Sequence, residues 1–278
     1  MKKIGITDNF YYGEDGKTQY TLIKEHGFDC IDYEALCDVH GVRYTCSEAE
    51  LKVMLTEEKL AAEAAGIGIS QVHGPWYVDD ATEELRAFNL NCMKRCVIGT
   101  YDLGCKNMVV HPVMPYHWNK EDDPAWAYAL NAEYFGKVCD FAADYGVHIC
   151  LENMPTANHS VGTLSQVADF VREMNRPNFD ICMDTGHANI TREDVFDGMR
   201  KAGDKLTVLH IHDNRGHMDE HRFPYTGTFD WDTFKKTLVE IGFGGVYSLE
   251  PCIGKQCPPA VKDQYLRTLA VAVKSLTE

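Results

Sequence analysis

Residues 147–214 read VHICLENMPTANHSVGTLSQVADFVREMNRPNFDICMDTGHANITREDVFDGMRKAGDKLTVLHIHDN, and this stretch decides the fold. Three short runs in it, Val147–Glu152, Phe179–Asp184 and Leu206–His212, are rich in apolar and β-branched residues. Each reads as a buried strand, in which residues two apart share a face. Between them lie two longer amphipathic segments, Leu164–Met174 and Arg192–Ala202, the second closed by Gly203. Strand, helix, strand, helix, strand is the pattern of parallel strands joined by crossover helices.

Working outward, the same unit repeats. Upstream, strands are expected at Lys2–Thr7, Phe28–Leu36, Ile67–His73 and Asn107–His111. The helices between them are expected at Lys17–Gly27, Glu48–Ala65, Thr82–Leu103 and Pro124–Tyr145. Downstream come a helix at Asp232–Ile241, a strand at Gly245–Glu250 and a closing helix at Ala260–Leu276. Eight β-α units predict an α/β chain folded as a single-domain (β/α)8 TIM barrel, not an open doubly wound sheet. The length of 278 residues suits one such barrel, and no Gly/Ser/Pro-rich linker divides it. The longest insertion, 112–123, follows strand four and would roof a pocket.

Charge narrows the partners. Lys and Arg number 27 against 42 Asp and Glu, a net charge of −15. Such a surface repels phosphate backbones, so bulk nucleic-acid binding is disfavoured. No stretch approaches the ~18 apolar residues of a membrane span, and the N-terminal apolar run is too short for a signal peptide. Eleven cysteines, an odd number without a CxxC pair, suggest a reducing, cytoplasmic setting.

In a barrel of this kind, chemistry sits at the C-terminal ends of the strands. Strand three ends in His73, strand four in His111, strand five in Glu152 and strand six in Asp184, with His187 close behind. Strand seven ends in His210 and His212, and strand eight in Glu250. Alternation puts Val208, His210 and His212 on one face, and pairs Cys150 with Glu152 and Ser248 with Glu250 in the same way. That face is the barrel interior, where a charge is costly unless paired or bound to a cation. Mixed carboxylate and imidazole donors suit a divalent metal: Mn, Mg, Co or Zn.

The motifs LENMP, MDTGH, HIHDN and SLEP, in this order at successive strand ends, resemble the xylose isomerase-like TIM-barrel superfamily. It contains sugar isomerases, ketose 3-epimerases, inosose-processing enzymes and apurinic endonuclease IV. The resemblance runs through nearly the whole chain and implies one domain over residues 1–278. From its epimerase-like members it implies one divalent metal on Glu152, Asp184, His210 and Glu250. Glu152 and Glu250 would then move a proton through an enediolate. His187, and an Arg after strand seven, here Arg215, would hold substrate oxygens, although Arg215 departs from the epimerase spacing. From its endonuclease-like members it implies additional zinc ions on His73, His111, His187, Asp219 and His221, with His212 as a ligand or support. Trp76 and Trp118, with Tyr11 and Tyr12, would supply an apolar wall for a sugar face. The expected function is a metal-dependent isomerase or epimerase of a sugar, sugar phosphate or polyol ketone. The alternatives are a multi-zinc phosphoesterase and a non-catalytic barrel that binds a polyol. The expected partner is a small sugar or polyol, with no membrane; a homo-oligomer is compatible with the chain but not dictated by it.

Overall fold

The computed structural model describes residues 2–9, 16–75, 82–113, 123–157, 160–254 and 256–278. Eight parallel strands form one sheet: β1 (Ile4–Thr7), β2 (Cys30–Tyr33), β3 (Gly68–His73), β4 (Asn107–Val110), β5 (His148–Glu152), β6 (Phe179–Asp184), β7 (Leu206–His210) and β8 (Tyr247–Leu249). Each strand from β1 to β6 pairs with its successor, and β8 pairs back onto β1. The ring closes between β7 and β8 through a parallel bridge from Ile211 to Leu249. There the Ile211 amide donates to Ser248 O at 2.8 Å and the Glu250 amide to Ile211 O at 3.1 Å. The architecture is the (β/α)8 TIM barrel that the alternation implies.

The helices are α1 (Gly16–His26), α2 (Val42–Thr45), α3 (Glu48–Ala65), α4 (Glu83–Asp102), α5 (Pro124–Ala143), α6 (Leu164–Met174), α7 (Thr185–Thr191), α8 (Val195–Ala202), α9 (Trp231–Glu240) and α10 (Pro259–Ser275). Their starts are chemically marked. Ser47 with Glu50, and Thr163 with Gln166, form reciprocal capping boxes, and the Thr82 hydroxyl accepts from the Leu85 amide. Gly66 ends α3 in the left-handed conformation at φ 72°, where a Cβ would be strained.

Several strands are shorter than the sequence suggests. The expected strand over Phe28–Leu36 shrinks to Cys30–Tyr33, and Gly245–Glu250 to Tyr247–Leu249. The flanking residues turn away as loops once ladder partners run out. Two helices were not expected. α2 is a single turn, and α7 is made of TGHANIT, poor helix formers held by a cap on Asp184. Arg192–Ala202 accordingly starts later, at Val195, after an Asp194 cap.

Alternation sorts the side chains as expected. Ile149, Leu151, Ile181, Met183, Leu209 and Ile211 join the large apolar cluster between sheet and helices. On the opposite face Val109, Cys150, Cys182 and Val208 form a separate small cluster inside the barrel. No helix among the described residues is long and apolar enough to cross a membrane.

Candidate metal centre

Two residues beyond that inner apolar cluster, the same four strands present His111, Glu152, Asp184 and His210 at the C-terminal mouth. All four are buried. Glu250 joins them from the end of β8. Ligand atoms of Glu152, Asp184, His210 and Glu250 all lie within 4.8 Å of one another. His210 Nδ1 stands 3.0 Å from Glu152 Oε1 and 3.4 Å from Glu250 Oε2.

Three further groupings adjoin this one. His73, His111 and Glu152 satisfy the same spacing, with His111 Nε2 3.1 Å and His73 Nε2 3.8 Å from Glu152 Oε2. Asp219 Oδ2 lies 3.3 Å from His187 Nε2 and 3.1 Å from His221 Nε2. His212, His221 and Glu250 also fall within ligating distance of one another. His73, His111, Glu152, His187, Asp219, His221 and Glu250 wall a cavity of about 400 Å³ that Glu34, Cys37, Met154 and Pro155 complete.

Local folding aims each group. Asp184 is both a strand end and the N-cap of α7: its Oδ1 accepts from the His187 amide at 2.6 Å. The cap reading and the interior reading of Asp184 are therefore one arrangement, and Oδ2 is left 2.8 Å from His212 Nε2. His187 Nδ1 rests against Asn153 O at 2.8 Å, which turns Nε2 toward Asp219. A Cβ on Gly186 would sit 1.9 Å from His212 Cε1, so only glycine admits that ring. The loop after β7 is tied to Asp213, whose carboxylate accepts from the amides of Asn214, Gly227 and Phe229 and from Trp231 Nε1. That loop carries Asp219 and His221 to the mouth, where His221 Nδ1 donates to Glu250 O at 2.8 Å.

Electrostatics explain why the cluster suits a cation. Burial pushes the Glu250 carboxyl up to about 8, against the attraction of His210 and reinforced by Glu152. Burial also acts on Glu152, but His210 and His111 outweigh it and hold this carboxyl well below its ordinary range. His187 and His221 are both raised to about 10: burial opposes their charge, and is overcome for His187 first by Asp184 and for His221 first by Asp219. His73 is lowered, by burial and then by neighbouring His111. Without a cation, some imidazoles take up protons to balance the carboxylates; a divalent ion supplies the same compensation. Glu152 Oε2 is buried without a hydrogen bond, with His111 Nε2 at ion-pair distance, 3.1 Å away. His212 Nδ1 is likewise buried and unpartnered. Orphaned donor atoms at the centre of a mixed carboxylate–imidazole set fit a metal.

Not every expected residue arrives. The Arg215 side chain is 57% exposed and turns to Glu220 at 3.6 Å, so the structure does not bring it to the cluster. The loop is tied by the Asp213 contacts, and the Arg215 amide also donates to Glu220 Oε2 at 2.9 Å. Trp76, Trp118, Tyr11, Tyr12 and most of the insertion after strand four lie outside the described residues. Three participants escaped the sequence reading. Asp32 contacts His210 Nε2 at 2.8 Å, Glu34 lines the cavity, and Cys182 is within ligating distance of Glu152 and His210. The signal was present: Cys30 and Asp32 alternate along β2 as Cys150 and Glu152 do on β5, and Glu34 continues that spacing just past the strand end.

The fold and the strand-end motifs define a family. The chain belongs to the xylose isomerase-like TIM barrel family, whose model matches residues 20–270. It is 30% identical over 228 residues to the ketose 3-epimerase of Arthrobacter globiformis, covering 80% of this chain and 72% of that protein. The structure of D-psicose 3-epimerase with D-tagatose from Clostridium cellulolyticum H10 superposes with a TM-score of 0.82 at 19% identity, covering 99% of both chains. The structure of IOLI protein with a binding zinc atom gives 0.76 at 20% identity, over 99% of this chain and 96% of that one. At these identities the two structures establish the shared barrel.

Proposed function

We propose that the protein isomerises or epimerises a sugar or a related polyol ketone by moving a carbon-bound proton next to the carbonyl. Its sequence relative among the ketose 3-epimerases supports that substrate class. The observation that carries the mechanism is that Glu152 and Glu250, from strands three apart around the ring, both reach His210 Nδ1. Two carboxyls so placed flank one point at the cavity floor. One takes the proton as general base and the other returns one, the division set by the hand of the substrate. Their environments push the two carboxyls apart, Glu152 down and Glu250 up, as an acid–base pair requires.

Glu152, Asp184, His210 and Glu250 would hold a divalent cation. When bound, the cation polarises a carbonyl and an adjacent hydroxyl and so eases removal of the carbon-bound proton. His187, buried at the cavity wall with Nε2 turned inward, is placed to donate to a substrate oxygen.

A second reading has its own support. The His73–His111–Glu152 group and the His187–Asp219–His221 contacts exceed what one cation needs. They suit a phosphoesterase with two or three zinc ions. Elemental analysis of the purified protein, with a panel of ketoses and phosphodiesters, separates the two. One Mn, Mg or Co per chain with ketose turnover is the expected result. Two or three Zn with phosphodiester cleavage and no ketose turnover would replace it by the second reading.

A further inference from the structure

We propose that Asp32 is the positioning residue that fixes His210 with Nδ1 toward Glu152 and Glu250. The inference rests on the reading of Glu152, Asp184, His210 and Glu250 as cation ligands. Asp32 comes from β2 and reaches His210, on β7, through the barrel interior. Both side chains are buried, at 1% and 0% exposure. Asp32 Oδ2 is 2.8 Å from His210 Nε2. The same oxygen accepts from Gln71 Nε2 at 2.9 Å, and Gln71 is held from β3 at 1% exposure. Asp32 Oδ1 is buried with no partner.

A carboxyl group buried in this position has no water to solvate it, so its oxygens need donors. His210 Nε2–H and the Gln71 amide are the donors the interior offers. With a cation on Nδ1 the ring keeps one proton, on Nε2, where the Asp32 oxygen is the acceptor that faces it. Nδ1 is then the ligating atom, directed at the side occupied by Glu152 Oε1 and Glu250 Oε2. The ring cannot turn away, because His73 stacks on it at 5.6 Å between centroids and 13° between planes. Gln71 holds Asp32, Asp32 holds His210, and His210 faces the ligand set. A carboxylate behind a ligating imidazole both selects the tautomer and raises the ring's basicity, and loss of such a partner weakens metal binding by about 10–100-fold.

The test uses the full chain stripped of metal and titrated with Mn²⁺ by calorimetry. Asp32→Asn keeps the shape and removes the charge; its Mn²⁺ affinity is expected to fall by about 10–100-fold, with circular dichroism unchanged. Asp32→Leu is expected to fall further, and Gln71→Leu less, since Asp32 still faces the ring. Affinity of a folded Asp32→Asn protein within about twofold of the parent would overturn the proposal. Should Asp32 variants not fold, ¹⁵N shifts of the His210 ring in the unaltered Zn²⁺-loaded protein decide it. The Nε2–H tautomer is expected, and Nδ1–H would overturn it. A parent chain that binds neither Mn²⁺ nor Zn²⁺ overturns the ligand reading, whereas a binding parent matched by folded Asp32→Asn overturns the role of Asp32 alone.

Discussion

Val109, Cys150, Cys182 and Val208 form the apolar floor inside the barrel, and His111, Glu152, Asp184 and His210 stand two residues further along the same strands. The two layers are about 7 Å apart, twice the rise per strand residue, and share one backbone scaffold. Below, small side chains satisfy one another by packing. Above, buried charged groups lean on each other, and Glu152 Oε2 remains unsatisfied. The lower layer stores stability, and the upper layer spends some of it to hold reactive groups in place.

Glu152→Gln and Glu250→Gln should strike the upper layer hardest. Each keeps the side-chain shape and removes the proton-transferring group, so turnover of an accepted ketose should fall by about 10²–10⁴-fold. Thermal unfolding of the variants should stay close to that of the parent. Near-normal turnover in either variant, at saturating metal, would end the two-glutamate mechanism.

Val208→Ala should do the reverse. It removes two buried methyl groups and leaves a void, at a cost of about 1.5–3 kcal/mol by urea unfolding. Activity per folded molecule should change little. A large drop in activity without loss of stability would mean that the two layers are not separable.

A third expected effect is a pH drift confined to the metal-free protein. His187 and His221, raised to about 10, keep protons in the folded chain that the unfolded chain has lost above ~6.5. Their contribution is complete below ~6.5 and gone once pH passes about 10. Glu250, raised to about 8, acts with the same sign over a lower range, complete below ~4.3 and lost through about 8. In chelator, the melting temperature should therefore decline from neutral to alkaline pH. Added Mn²⁺ should flatten that decline; a decline unaltered by metal would separate these groups from the cation site.

The barrel was legible because alternation and helix boundaries repeat. Leu164–Met174 and Phe179–Asp184 fall where the sequence puts them, since Thr163 caps one and the register of neighbouring strands bounds the other. The strand-end residues were legible for the same reason: His111, Glu152 and His210 each follow an inward residue by two. What was hidden depends on tertiary contact. α7 is capped by Asp184, and apart from Ala188 little in TGHANIT favours a helix. Asp32 looked like a mid-strand residue while its strand was read as nine residues long. Arg215 was misplaced because the loop path follows from Asp213, whose four donors lie up to 18 residues further along the chain.

The seam between β7 and β8 adds a consequence of its own. Adjacent strands elsewhere are laced by ladders of paired residues, whereas this junction rests on the single bridge at Ile211. His210 precedes that bridge on one side and Glu250 follows it on the other. An ion held by both residues is a rivet across the most openable joint of the barrel. Amide exchange at Ile211 and Glu250 should thus slow more on Mn²⁺ addition than exchange along β2–β3, because ring closure and cation binding become one event.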